Sequence, residues 1–315
     1  MKKILFTLAL LISFSSFGQD DIKQSLSRDY YESGEIKSEG YVVNGKLQGE
    51  FIQYYESGAV QIYANFKDGK LQGEAINYYE SGEFKQKLNY VDGTIQGEAI
   101  EYYESGAVKA IAEIVNGKKQ GELTRYYESG ELKSKENYVD GKKDGELIEY
   151  NKKSGLVSAK LNYVDGIQQG EDINYYGSGA VSSKSYWIDG KEQGEYISYF
   201  ESGETHNKGN YVDGQPQGEW IEYYESGEVE QKSNFVDGKK QGEWIENYES
   251  GAIKSKVNFV DGQPQGEAIG HYESGAVRYK GNYVDGKEQG EVIEYYENGE
   301  IKEIKNYKDG ELIEN

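Results

Sequence analysis

The stretch GEAINYYESGEFKQKLNYVDGTIQ, residues 73 to 96, is the unit from which the rest of the chain is read. Its string YYESG recurs at Tyr30–Gly34, Tyr54–Gly58, Tyr78–Gly82, Tyr102–Gly106 and Tyr126–Gly130, 24 residues apart each time. Variants continue at Tyr175–Gly179, Tyr199–Gly203, Tyr223–Gly227, Asn247–Gly251, His271–Gly275 and Tyr295–Gly299. Tyr150–Gly155 (YNKKSG) supplies a twelfth copy with one extra residue. A second marker, Asp/Asn-Gly followed by Gln/Asp-Gly-Glu, lies between the copies, from Asn44–Glu50 to Asp285–Glu291. Repetition at a fixed short period signals a stacked-repeat architecture.

Each unit holds two runs of strand character, Gly73 to Tyr79 and Phe84 to Val91, rich in β-branched and aromatic residues. The Ser-Gly corner supplies a short loop, and the Asp-Gly corner a second turn. One repeat is therefore one β-hairpin. The predicted fold is all-β: an elongated meander of antiparallel β-hairpins, about twelve 24-residue repeats, forming a twisted open sheet of about two dozen strands. A three-residue loop at Glu80–Gly82 pairs Tyr79 with Glu83 and sets Tyr78 opposite Phe84. Carrying that parity onward places Ile76, Tyr78, Phe84, Leu88 and Tyr90 on one face, with Gln86 as its polar member, and brings Tyr90 against Ile100. The Tyr79-type rings, Lys85, Lys87 and Asn77 fall on the other, wetter face.

Composition sets the limits on function. Among 315 residues there are 41 Gly and 31 Tyr but 2 Pro, 1 Met and no Cys. Mean hydropathy is −0.85, too lean for a large globular core, while 14% aromatics argue against plain disorder. Absence of Cys excludes disulfides, thiolate metal sites and a cysteine nucleophile. A formal charge of −21 disfavours nucleic acid and anionic membrane as partners.

Residues 1–18, MKKILFTLALLISFSSFG, read as a secretory signal. Lys2 and Lys3 precede an apolar run from Ile4 to Phe14, and Ser16 and Gly18 suit a cleavage site. Cleavage removes two lysines and takes the charge from −21 to about −23. The expected destination is the periplasm, cell envelope or exterior. Residues 19–29 form a short leader, and residues 30–315 form the array, whose last copy is truncated after Asp309–Gly310. Residues 300 to 315 read as a capping hairpin. The extra residue at Asn151–Ser154 predicts a bulge or looser turn at that corner.

YYESG combined with DGKxQGE resembles the variant MORN repeat, whose pattern is roughly YYxNGxLKxEGxYxNGKxxGxW. Tyr30, Tyr31, Gly34, Ile36, Gly40, Asn44, Gly45, Lys46 and Gly49 match it in the first copy. The tryptophan position is kept at Trp220 and Trp244, approximated by Phe51 and Tyr196, and departs to Ala75, Ala99, Leu123 or Asp172 elsewhere. The resemblance implies a hairpin array serving as an interaction scaffold. It carries two alternatives, a membrane-associated module and an antitoxin-like component. An acidic chain without a basic stripe opposes the first, and an export signal opposes the second.

No constellation points to catalysis. The series from Glu50 to Glu291 repeats one position in eleven hairpins, which lacks the asymmetry that paired catalytic carboxylates need. His206 and His271 lie in different repeats, the first reading as a solvated side chain and the second as a ring replacing Tyr. The Asp-Gly aspartates recur too far apart for one ion to bridge neighbours, so no metal site and no cofactor is expected. The tyrosine ladder Tyr31, Tyr55, Tyr79, Tyr103, Tyr127 and onward has two readings, a purely structural one and one that also faces a ligand. The expected function is a non-enzymatic exported scaffold, monomeric, binding a protein or glycan. The candidate partner-binding residues are Trp220, Trp244, Tyr196, Tyr224 and Tyr248, with the two tryptophans as neighbours on the ladder face.

Overall fold

The computed structural model describes residues 24–313; the secretory signal assigned to residues 1–18 lies outside the described residues. All described regular structure is strand, in 32 segments between Gln24 and Ile313. With each split strand counted as one, every strand between the first and the last pairs antiparallel with its two neighbours in the chain. The result is one open, single-layer sheet built by meandering, as the sequence predicts. The segment count exceeds two dozen because most outgoing strands are split. A kink at Gln72-Gly73, where Gly73 has φ +78°, separates the two-residue arm Lys70–Leu71 from Gly73–Tyr78.

The array begins earlier than the sequence suggests. Gln24–Tyr30, assigned above to a leader, is a strand paired with Ile36–Val43. Its residues lack the Gly-Glu-x-Ile signature, so only the register to its partner reveals it. At the other end Glu311–Ile313 pairs with Asn306–Lys308.

Both corners have the geometry their residues require. At the Asp-Gly corner Asp92 (φ +50°) and Gly93 (φ +84°) are both left-handed, and they form a two-residue loop between the pair Val91 and Thr94. Positive φ at both loop positions is the mark of a type I′ turn, which matches strand twist. At the Ser-Gly corner the Tyr79 amide donates to the Glu83 carbonyl at 2.8 Å, and the Gly82 amide to Tyr79 at 2.9 Å. Tyr78 faces Phe84 across that corner, as expected.

Beyond the corner the register departs from the parity argument. Asn77 pairs with Gln86 and Ile76 with Lys87, because one extra residue is bulged out after Phe84. The bulge recurs in every repeat. A second irregularity follows the Asp-Gly turn. Tyr90 pairs with Ile95, not Ile100, and Ile100 pairs with Lys87. A one-residue shift exchanges the faces, so the predicted row divides. Leu88, Tyr90 and Gln86 join Ala75 and Asn77 on one face, while Ile76 and Lys87 lie on the other.

The two faces differ in kind. On one, isoleucines and lysines alternate across the sheet: Ile148 lies between Lys135 and Lys160, Ile173 between Lys160 and Lys184, Ile197 between Lys184 and Lys208. Lysine stems flank the aliphatic side chains while their ammonium groups reach the glutamate series, as in Lys135–Glu122 at 3.1 Å and Lys208–Glu195 at 3.0 Å. Such exposed pairs contribute about 0–1 kcal/mol each. We term this the ionic face. The opposite, packed face holds the buried side chains, among them Ala64, Leu123, Leu147 and Ala268.

Two networks stitch successive repeats. Along the Ser-Gly margin the Tyr79-type hydroxyls from Tyr31 to Tyr272 donate to a carbonyl in the next repeat: Tyr55 to Tyr78 at 2.8 Å, Tyr79 to Tyr102 at 2.9 Å, Tyr248 to His271 at 2.8 Å. Along the Asp-Gly margin the turn glycine donates to the preceding arm, as Gly93 does to Leu71 at 2.8 Å. The neighbouring Asp amide donates to a glutamine Oε1, as Asp92 does to Gln72 at 3.0 Å. These bonds explain why Tyr and Gln recur at fixed spacing, since each side chain satisfies a backbone group that the meander leaves open; Asp and Gly recur because the turn needs positive φ at both positions.

The corner at Asn151 absorbs its extra residue without disturbing register, since Tyr150 still pairs with Val157. The Asn151 side-chain oxygen accepts from the amides of Lys153 (2.9 Å) and Ser154 (3.2 Å) and ties the longer loop.

Candidate binding face

The packed face changes character along the chain because its positions vary while the ionic face repeats. Bulk on one strand is matched by its absence on the next. A Cβ on Gly209 would lie 2.2 Å from the Trp220 ring, and one on Gly270 2.0 Å from the Tyr279 ring. The position after Gly-Glu, which carries Ala75, Leu123 or Asp172 in other repeats, carries Tyr196, Trp220 and Trp244 in three consecutive ones.

Trp220 faces Ser233, and its ring covers Gly209 on the other side. Across that glycine it stacks on Tyr196 at 5.7 Å with a 25° interplanar angle. Tyr211 meets it edge-on at 5.3 Å and Phe235 at 6.1 Å. Such pairs add about 0.5–1.5 kcal/mol each beyond area burial. Trp244 faces Val257, and the Lys240 ammonium lies 5.6 Å from its ring and 5.4 Å from that of Phe259. Both indole Nε1 atoms are buried without a hydrogen-bond partner. Beside Trp244 an open trough of about 190 Å³ is lined by Val257, Phe259, Pro264, Ala268, Tyr279 and Tyr283. A larger hollow of about 600 Å³, lined by Glu146, Lys160, Glu171 and Tyr186 among others, is more polar and lacks this run of rings.

Three of the five candidate residues thus belong together: Tyr196, Trp220 and Trp244. The other two do not join them. Tyr224 and Tyr248 lie at the Ser-Gly margin, where their hydroxyls donate to the carbonyls of Asn247 (2.7 Å) and His271 (2.8 Å). The tryptophans lie on the packed face, away from the ladder. The ladder hydroxyls are therefore engaged in joining repeats. Tyr211, Phe235 and Phe259 complete the aromatic run and were missed. Their signal was the ring two residues before each Asp-Gly, which the unbulged register had assigned to a row with the isoleucines.

Two buried carboxylates mark other stretches of this face. Glu136 is 7% exposed. Burial pushes its pKa up, but hydrogen bonds from Tyr138 and Arg125 and the charge of Lys143 outweigh this and hold it below the ordinary value. The Tyr138 hydroxyl is correspondingly pushed up to about 12 by burial and by Glu136. Asp172 is 9% exposed and accepts from Gln168 (2.9 Å) and Asn174 (3.0 Å), with no cation among its partners. Burial raises its pKa. Burial and the Asp172 charge raise that of Glu192.

His206 is less solvated than expected. Its ring lies 4.4 Å from Phe200, and its Nε2 is 3.5 Å from Glu222. His271 takes a tyrosine slot, and its Nδ1 is buried without a partner. Among the described residues no group of three or more His, Asp or Glu side chains is placed to hold a metal ion.

A single-layer hairpin array, stitched at both margins and carrying one variable face, defines a repeat scaffold. The chain belongs to the MORN repeat variant family, whose model matches residues 24–44, 47–68, 71–92, 95–116, 119–140, 216–237, 240–261 and 288–309. No curated protein matches it. Solved structures similar to it include "Crystal Structure of TcdB2-TccC3", 13% identical over 92% of this chain and 19% of that chain with a TM-score of 0.19. Another is "Crystal Structure of TcdB2-TccC3-Cdc42", 11% identical over 94% and 17%, with a TM-score of 0.17. The chain spans less than a fifth of the length of either, and likenesses this remote carry no argument here.

Proposed function

We propose that this chain is an exported, non-enzymatic scaffold that binds a protein or glycan along the aromatic stretch of its packed face. The observation that carries this reading is the run Tyr196, Tyr211, Trp220, Phe235, Trp244 and Phe259, which gathers rings on one face next to an open trough. Aromatic side chains offer large contact area at low entropy cost, and planar sugars or apolar side chains stack on them. Export rests on the secretory signal read at residues 1–18, and the absence of chemistry rests on the serial, equivalent placement of the carboxylates.

All three tryptophans, Trp187, Trp220 and Trp244, lie on the packed face, so intrinsic fluorescence reports on it. Titration with solubilised envelope glycans and, separately, envelope protein extract is expected to shift the emission for one of the two. Trp244→Ala should abolish the response, and Tyr224→Phe should leave it intact. A response equal in Trp244→Ala and wild type would overturn the assignment.

A further inference from the structure

The two long margins of the sheet are chemically unlike. Ten of the twelve Ser-Gly corners carry Glu directly after the ladder ring, and Glu35, Glu83, Glu131, Glu204, Glu228 and Glu300 add to them. That margin is strongly acidic. The Asp-Gly margin instead mixes signs: Lys follows the turn glycine in seven of the twelve corners, as in Asp140 with Lys142, Asp189 with Lys191 and Asp237 with Lys239. Between Val91 and Val284, every repeat also places Val or Ile immediately before the turn, and each of these is 37–48% exposed. The turn pair, as Val91 with Thr94, shares the ionic face. Successive turns touch, with a Cβ on Gly141 falling 3.5 Å from Lys118 and one on Gly166 3.7 Å from Lys142. The valines therefore form a file along this margin, one per hairpin, with their turn partners such as Thr94, Lys142 and Ile167 between them.

Turn geometry accounts for the Asp and Gly, and interrepeat bonding for the Gln, but among the described residues none covers the exposed aliphatic residue that recurs in nine consecutive repeats. Isolated exposed aliphatics are ordinary, whereas a contiguous stripe is not. We infer that this margin is the docking surface for a second copy of the chain, two arrays lying side by side with their valine files in contact.

Three observations select that occupant. A second copy has the same 24-residue period, so a match at one turn is repeated at the others. The approach of two acidic chains is opposed at the Ser-Gly margins and permitted at the Asp-Gly margins. A two-fold axis reverses the order along the edge, so the Asp of one tip can meet the Lys of the other, making the edge self-complementary. The file is narrow beside the roughly 800 Å² per partner of a stable interface, and the lysine stems add to it. The pairing is accordingly of moderate affinity.

The test is mass by light scattering on the purified full chain at tens of micromolar. The wild type is expected at twice the monomer mass. Replacing Val115, Val164, Val212 and Val260 together with Glu should reduce it to the monomer mass. Circular dichroism and melting should stay unchanged, because these side chains are already wet. Trp244→Ala should remain dimeric, which separates this proposal from the aromatic-face reading. A monomeric wild type overturns the proposal. So does a dimer that survives the four-site substitution, which would place the contact elsewhere. A monomer that floats with phosphatidylglycerol vesicles would give the stripe to a lipid surface and overturn it equally.

Discussion

Two stretches of the packed face share a backbone and little else. Between Ile95 and Tyr138 the face is mainly aliphatic, with one ion pair, buried Glu136 with Arg125: Ala110, Ala112, Ile114, Leu123 and Tyr138 form a buried cluster, with Ile95 and Ala99 against it. Between Gln168 and Glu192 the same positions carry Asp172, Asn174, Ser183, Ser185, Trp187 and Glu192. Register is nonetheless the same in both, with the post-corner bulge at Lys133, opposite Arg125 and Tyr126, and again at Ser182, opposite Asn174 and Tyr175. The comparison teaches that strand pairing here is set by turns, bulges and margin bonds. The packed face then adds stability locally, to a degree that varies along the array, as expected where each repeat contacts only its neighbours.

The largest expected effect comes from breaking the stronger stretch. Leu123 is 3% exposed and faces Ala112 and Glu136 on its two sides. Leu123→Ala should cost about 2–4 kcal/mol locally, combining lost burial with an unfilled cavity. Hydrogen exchange should accelerate in residues 108–139 and stay unchanged beyond 190. Uniform acceleration along the whole chain would show that the sheet opens as one unit and that the comparison is mistaken.

A smaller effect, of opposite sign, is expected in the polar stretch. Asp172 and Glu192 both have raised pKa values in the folded chain. Folding therefore favours their protonated forms. Their contribution is most favourable in the ordinary carboxylate range and below. It is lost as pH rises through the raised values, and the penalty persists at neutrality. Asp172→Asn removes the charge and retains an oxygen to accept from Gln168 or Asn174. It should slow exchange in residues 170–192 at neutral pH, with the difference closing as pH falls into the ordinary carboxylate range. A difference independent of pH would exclude ionisation as the cause.

The repeat, both corners and the family were legible in the sequence because Gly and Asp at turn positions have few conformations available. The faces were not. A single-layer sheet has no fully dry side, so isoleucine at 76 and leucine at 88 give no clue that they lie on opposite faces. The decision rests on one bulged residue at Lys85, worth a single step of parity, whereas the offset at the Gly97 kink is two residues and leaves the faces unchanged. Tyr224 and Tyr248 were misplaced for the same reason, since a ring on a strand end looks alike in sequence whether it recognises a ligand or bonds a neighbouring carbonyl. The aromatic run survived in part because Trp220 and Trp244 occupy equivalent positions whichever face that position takes.

The smallest expected effect concerns the margin of the weaker stretch. It is flanked by two corners that lack the ladder hydroxyl. Asn151 replaces the sixth ladder tyrosine and Phe200 the eighth, whereas Tyr176 between them donates to Tyr199 at 2.6 Å. Phe200 occupies the ladder position, and its amide donates to Glu204 at 2.8 Å as in the other corners. By analogy with Tyr224, a hydroxyl added there would reach the carbonyl of Tyr223 in the next repeat. Phe200→Tyr should therefore add about 0.5–1 kcal/mol, the net value of one intramolecular hydrogen bond. The Phe200 ring lies 4.4 Å from that of His206, tilted by 40°. Tyr103→Phe makes the reciprocal change in the aliphatic stretch, removing a 2.9 Å bond to Tyr126, and should cost a similar amount. Exchange at residues 199–223 and 102–126 would then move in opposite directions by similar amounts. If Phe200→Tyr gains nothing while Tyr103→Phe still loses, the margin bond depends on the packed face beneath it, and the separation of register from packing fails at this joint.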